Sequence, residues 1–247
     1  VVNGDLLNWA GGSITLQNLN DTAKIINNSS FSISSDGTIA GTGILSNTAD
    51  GTMEVLPQPG STPTILCQFS NLGIINLLQS RLVVGNNWTM AAPGKLHFDG
   101  GNFQVDGTFD LQGTIRVLQP GSLMADLVSN NGVIDFRNGQ GQTLNIVRRV
   151  GMMTGGNYTQ GIGGSLFLEI VGDDECDILG IFGQATLAGI LDISLGGGYV
   201  PAGQESLSWM FLKYGTRNGT FATVNRPANF AGPVYGIISA TIKWTPP

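Results

Sequence analysis

Apolar and polar residues alternate along this chain in short runs, and glycine or an Asx residue closes nearly every run. Phe31-Ser32-Ile33-Ser34 leads through Ser35-Asp36-Gly37 to Thr38-Ile39, and Asp50-Gly51-Thr52-Met53-Glu54-Val55 repeats the unit. It returns at Phe69-Ser70-Asn71-Leu72-Gly73-Ile74-Ile75, at Ile115-Arg116-Val117 and at Val133-Ile134-Asp135-Phe136. Side chains at period two point to opposite faces of a sheet, so each run predicts a strand with one buried face. The turn glycines fall at 37, 51, 60, 73, 94, 107, 121 and 132. Two such intervals make one coil of a solenoid of the roughly 20–30-residue class. The longer gap from Gly73 to Gly94 holds Trp88 and is where an insertion would fit.

This pattern predicts an all-β parallel solenoid, a single domain over residues 1–247. Residues 1–30 form N-terminal strands with an open edge, 31–195 the coils and 196–247 a closing segment. Phe109, Leu111, Ile115, Val117, Ile134 and Phe136 are expected to point inward and stack into one core. Each coil leaves backbone N–H and C=O groups for the next to satisfy, so no coil is stable alone and both ends need covers.

Composition supports a turn-rich solenoid. Only 11% of the 247 residues are charged, and 37 are glycine. The net charge of −6, with Arg148-Arg149 as the one adjacent basic pair, excludes a nucleic-acid surface built from clustered Lys and Arg. No run of uncharged apolar residues is long enough to span a membrane as a helix. The chain opens on Val1 with neither Met nor a signal-peptide pattern, which implies a processed mature protein or a piece of a longer one. Six Asn-x-Ser/Thr sites, Asn20, Asn27, Asn28, Asn87, Asn157 and Asn218, are candidates for glycosylation of a secreted protein.

No residue pattern names a catalyst, a metal or a cofactor. His97 is the single histidine, and alternation with Leu96 and Phe98 points it outward. Asp110, Asp135 and Asp192 also point outward, with no second acid beside them on the same strand. Asp173-Asp174-Glu175 with Asp177 lacks the spacing of a calcium loop and reads as a solvated turn. Among the tryptophans, Trp88 is the better exposed candidate for sugar stacking, and Trp209 belongs to an apolar run of core or cap. Cys67 and Cys176 lie several coils apart, too far for a disulfide.

The stretch from Asn157 to Val224 carries a more specific signal. It reads Asn157-Tyr158-Thr159-Gln160, Gly163-Gly164-Ser165-Leu166-Phe167-Leu168 and Ala185-Thr186-Leu187-Ala188-Gly189-Ile190-Leu191-Asp192-Ile193. It ends with Gly198-Tyr199-Val200-Pro201-Ala202-Gly203 and Gly219-Thr220-Phe221-Ala222-Thr223-Val224. These residues resemble the C-terminal passenger segment of bacterial autotransporters and related surface β-helix proteins. The resemblance implies a right-handed parallel β-helix, closed at its C-terminal end and displayed at the cell surface. Leu187, Leu191, Tyr199 and Phe221 would then stabilise and cap that end. Two features depart from the family: no translocator barrel follows the motif before Pro247, and Cys176 lies inside it.

Together these readings anticipate a non-enzymatic extracellular structural or adhesive β-helix. It would form part of a surface structure or filament by joining end to end with copies of itself or with a neighbouring module. The alternative is a carbohydrate-binding or carbohydrate-active β-helix, whose mark would be an exposed groove with paired carboxylates and a basic residue, or exposed aromatics along one face.

Overall fold

A computed structural model describes the backbone of residues 2–3 and residues 6–16, 23–56, 61–148, 155–202 and 206–246. Among them there is no helix. Parallel strands stack as a β-solenoid of about eight turns. Three ladders run along its length. The first face passes through 24–27, 44–47 and 68–71, then 88–90, 108–111, 127–130, 157–160, 184–187 and 216–219. The second passes through 6–9, 30–33, 52–55, 74–77, 95–98, 114–117, 133–135, 165–170, 190–195 and 223–225. The third passes through 12–16, 37–41, 64–65 and 80–84, and continues by way of 101–105, 121–124, 143–147 and 178–181 to 212–214.

Alternation builds the core as expected. On the second face, Phe31, Met53, Ile75, Leu96, Ile115, Ile134, Leu166 and Leu191 fall in one register column and are all fully buried. Burying each side chain of this size contributes about 1.5–3 kcal/mol, so the column is a main source of stability. A second stack rises on the first face, where Trp88 lies parallel between Phe69 and Phe109 with ring centroids 5.2 Å from each.

Glycine governs the corner between the first and second faces. The carbonyls of Gly51, Gly73, Gly94, Gly113, Gly132 and Gly164 accept the N–H of Ile74, Lys95, Thr114, Val133, Ser165 and Ile190, one coil further on. A Cβ on Gly73, Gly113 or Gly132 would lie 2.1–2.2 Å from the carbonyl oxygen of the glycine one coil before. No side chain fits there, because real Cβ atoms do not approach backbone oxygen so closely.

Beside this corner runs a buried amide ladder. Asn27, Asn47 and Asn71 share one register position and are at most 1% exposed. Asn27 Nδ2 donates to Asn47 Oδ1 and Asn47 Nδ2 to Asn71 Oδ1, each at 2.7 Å. Their remaining amide protons reach carbonyls of the turn and of the first residues of the second-face strands. Met90 and Leu111 interrupt the column, and Asn130 and Gln160 resume it. There Asn130 Nδ2 donates to Tyr158 Oη at 3.0 Å, and Tyr158 Oη donates to Gln160 Oε1 at 2.7 Å.

Two expectations are corrected. The coils begin with the first strands rather than at Phe31: residues 6–9 pair in parallel with 30–33, and 12–16 with 37–41. The Gly73–Gly94 interval holds no insertion, because Ile74–Val84 is one long strand that turns directly into Trp88–Met90. Insertions fall later, where the steps Val128 to Tyr158, Tyr158 to Ala185 and Ala185 to Arg217 are each longer than the step from Phe109 to Val128. Within these coils, residues 136–142, 171–177 and 196–202 lie outside the ladders, at the corner between the second and third faces.

The closing segment covers one face of the C-terminal end. Residues 207–213 of the strand Leu207–Gly219 pair with Ser239–Trp244, which runs antiparallel to the rest of the solenoid. Phe221, Leu187 and Leu191 are buried beneath this end, and Cys67 and Cys176 are both free thiols.

Replacing Asn47 by Ala removes the central rung of the ladder and leaves the Asn27 donor and the Asn71 acceptor unpaired. The expected loss is about 2–5 kcal/mol in denaturant unfolding, since each orphaned buried group costs about 1–3 kcal/mol. A loss below about 1 kcal/mol would show that water replaces the rung without penalty.

Candidate functional site

The outward positions of the second face hold most of the charge that lies on the three ladders. One column reads Glu54, Asn76, His97, Arg116, Asp135, Phe167, Asp192 and Asn225, each directly across from the next. Neighbouring strands lie about 4.8 Å apart, so this column brings together residues far apart in sequence. Asp135 and Asp192 stand two strands apart, with Phe167 between them.

Arg137 organises the centre. Its Nε and Nη2 donate to Asp135 Oδ1 and Oδ2 at 2.8 and 3.1 Å, and its guanidinium lies 4.1 Å from the centroid of the Phe167 ring. A fork held at two points and stacked on a ring is preorganised in a way that a lysine would not be. Asn225 Nδ2 donates to Asp192 Oδ2 at 3.1 Å and fixes the far end. His97 points outward and is half-buried. Burial, with Arg116 and Lys95 nearby, lowers its pKa, so the ring is neutral at pH 7. The result is a flat patch of one aromatic ring, a neutral imidazole, two arginines and two carboxylates. Both oxygens of Asp135 are engaged by Arg137, and an apolar ring separates the acids. Those features suit recognition better than general acid–base chemistry.

A second cluster holds the inserted loops. Glu169 Oε2 accepts the N–H of Asn138 and of Gly139 at 3.0 and 2.7 Å, and Glu175 Oε1 accepts that of Gly141 at 3.3 Å. Asp177 accepts the N–H of Gln142 at 2.8 Å and of Glu169 at 2.7 Å. Asp177 is fully buried, which corrects its reading as part of a solvated turn, whereas Asp173, Asp174 and Glu175 are exposed as expected. The carboxylates serve here as backbone acceptors. Among the described residues, no group of three or more His, Cys, Asp or Glu side chains could hold a metal ion.

The other sequence candidates separate cleanly. Trp88 is buried, with Nε1 donating to the Phe69 carbonyl at 3.1 Å, so it is a core residue and not an exposed sugar platform. Its place in a sequon suggested exposure, but its position two residues before Met90 on an inward register decides the matter. Asn28, Asn87 and Asn218 are exposed, and Asn157 is half-buried with Oδ1 accepting the Gln184 N–H at 2.9 Å. Asn27 is the first described rung of the buried ladder, which leaves no room for a glycan. Asn20 lies outside the described residues. Tyr199 is half-buried and donates from Oη to Asp173 at 2.6 Å, tying residues 196–202 to the acidic turn. Phe167 and Arg137 were not singled out from sequence; the coil register sets Phe167 between Asp135 and Asp192, and Arg137 reaches Asp135 from two residues further on.

No protein-family model matches the chain, and no curated protein matches its sequence. Among the described residues, no helix is long and apolar enough to cross a membrane.

Burial, opposed by its two amide hydrogen bonds and assisted by Glu169 and Asp135, pushes the Asp177 carboxyl up to about 7. The folded state therefore binds a proton that the unfolded chain releases near pH 4. Its contribution is fully present below that unfolded value and is lost as pH rises through 7. The unfolding temperature should be higher near pH 5 than near pH 8, and Asp177→Asn should flatten this difference whatever it does to absolute stability. An Asp177→Asn protein with the wild-type pH slope would show that another group sets it.

Proposed function

We propose that this chain is an extracellular structural or adhesive β-helix that forms part of a larger surface structure. The solenoid fold, the scarcity of charge and the Ser/Thr/Asn-rich outer positions support this reading. So does the resemblance of residues 157–224 to autotransporter passengers. The observation that carries it is the difference between the two ends. Strands 6–9 and 12–16 are hydrogen-bonded on one side only, and their other edge has no partner among the described residues. At the opposite end, Ser239–Trp244 seals the third face, and residues 229–235 in turn hold its outer side. A following copy finds no open strand on that face. On this reading assembly runs through the N-terminal edge, where a strand of a second copy or of a neighbouring module completes the ladder by β-augmentation.

The direction of the backbone groups gives a clean test. Ser34 N–H donates to the Trp9 carbonyl. Because backbone groups alternate from side to side along a strand, those of Asn8 face the open edge. Asn8→Pro removes an edge donor without touching the ladder to residues 30–33, and proline is tolerated on edge strands. In light scattering over a range of concentrations, the wild-type mass should grow, while Asn8→Pro stays at the 25.9 kDa of one chain with an unchanged circular dichroism spectrum. A wild-type chain that remains monomeric throughout, or an Asn8→Pro chain that associates equally well, would overturn self-association through this edge.

Glycan binding is the second reading, favoured by the Phe167 ring set between Asp135–Arg137 and Asp192–Asn225. Sugar rings present apolar faces to aromatic rings and hydroxyls to carboxylates and amides. Affinity electrophoresis against a panel of polysaccharides should show retardation that Phe167→Ala abolishes. Turnover of the retained glycan would move the protein to the carbohydrate-active class.

A further inference from the structure

The third face changes character towards its C-terminal end. Its outward column runs Ser122, Asn145, Gly180, Lys213 and Ser239, and Gly180 leaves a notch between Asn145 and Lys213. A register shift between Ile181 and Gln184 sets Phe182 at one side of that notch, 68% exposed. Ile238 stands at the other side, 65% exposed, with Ile237 next to it at 91%. Between them lies a groove of about 590 Å³, floored by Gly180, Ile181 and Tyr214 and reached by Met210, Lys213 and Asn145.

The groove is built, not incidental. Tyr214 N–H donates to the Ile238 carbonyl at 2.9 Å. Tyr214 Oη lies 2.9 and 2.8 Å from the carbonyls of Gly236 and Ser239 and holds both ends of the turn that carries Ile237 and Ile238. The wall is thus fixed by a buried tyrosine. An added Cβ at Gly180 would lie 2.4 Å from Asn145 Oδ1, so the amide over the notch needs glycine beneath it. Large apolar side chains exposed on both walls cost free energy unless something covers them, and a concave site of this size lies in the range of small-ligand pockets. Lys213 is exposed at the rim, with no ion pair among the described residues, in a chain of net charge −6.

From this geometry we infer that the groove binds a free long-chain carboxylate, its aliphatic tail between Phe182 and Ile238 and its head on Lys213 with the Asn145 amide alongside. The chemistry fits in both parts. An alkyl chain covers the exposed walls without leaving a buried polar group unpaired, and the ammonium at the rim attracts a single anionic head while remaining in water. The site is separate from the second-face patch and from the N-terminal edge, so it stands whether or not the proposed function does.

Titration calorimetry of the full chain with dodecanoate, below the concentration at which it forms micelles, tests the inference. One dodecanoate should bind per chain. Lys213→Glu and Phe182→Ser should each weaken binding at least tenfold, and dodecanol, which lacks the charge, should bind at least tenfold less tightly than dodecanoate. Both substituted side chains are exposed, so the fold should persist and circular dichroism can verify it. Absence of binding overturns the site, as does equal binding by either variant. Equal affinity for dodecanol removes the role of Lys213. A dimer that Phe182→Ser dissolves, with no dodecanoate binding, would assign the groove to a second copy instead.

Discussion

Everything in this solenoid depends on how closely one coil's backbone can approach the next at the corner between its first two faces. The glycine carbonyls there receive an N–H from the following coil, and the contact leaves no space for even one carbon atom. Because each corner fixes the height of the next coil, it also fixes which side chains stand across from one another. The hydrophobic column from Phe31 to Leu191 and the amide ladder from Asn27 to Asn71 are both consequences of that height.

The amide ladder adds direction to what the corner permits. A hydrophobic column tolerates sliding, since Met53 packs on Phe31 or Ile75 with similar ease. An asparagine whose oxygen accepts from one neighbour while its nitrogen donates to the other fits a single register. Where Met90 and Leu111 replace it, the stacked rings of Phe69, Trp88 and Phe109 supply the specificity instead.

Much of the fold could be read from the sequence, because a strand's two-residue alternation and a turn's glycine are local signals. Phe109, Leu111, Ile115, Val117, Ile134 and Phe136 were placed inward from alternation alone, and all are fully buried. The first coil was missed as a coil because Leu6, Leu7 and Trp9 make a weaker alternation than Phe31 and Ile33. Trp88 was misplaced because a sequon around it resembles surface, while its ring neighbours Phe69 and Phe109 are 19 and 21 residues away. The candidate surfaces were the least legible part. Asp135, Phe167 and Asp192 share no local pattern, and they meet through coils of unequal length. The same inequality hid Asp177, whose partners Gln142 and Glu169 come from an inserted loop and from a strand of the second face.

The antiparallel strand at the C-terminal end also has a mechanical consequence. A parallel coil is held to its neighbour by bonds that a pull on one end loads in sequence, so tension would strip the solenoid one coil at a time. Ser239–Trp244 reaches back along residues 207–213 and is itself bound by residues 229–235, so a pull on the chain beyond it loads several bonds together in shear. On this argument the C-terminal end is clamped, and the coils before it are not. Tethered by the clamped end, the molecule would lengthen under load from the other while its last coils kept their shape.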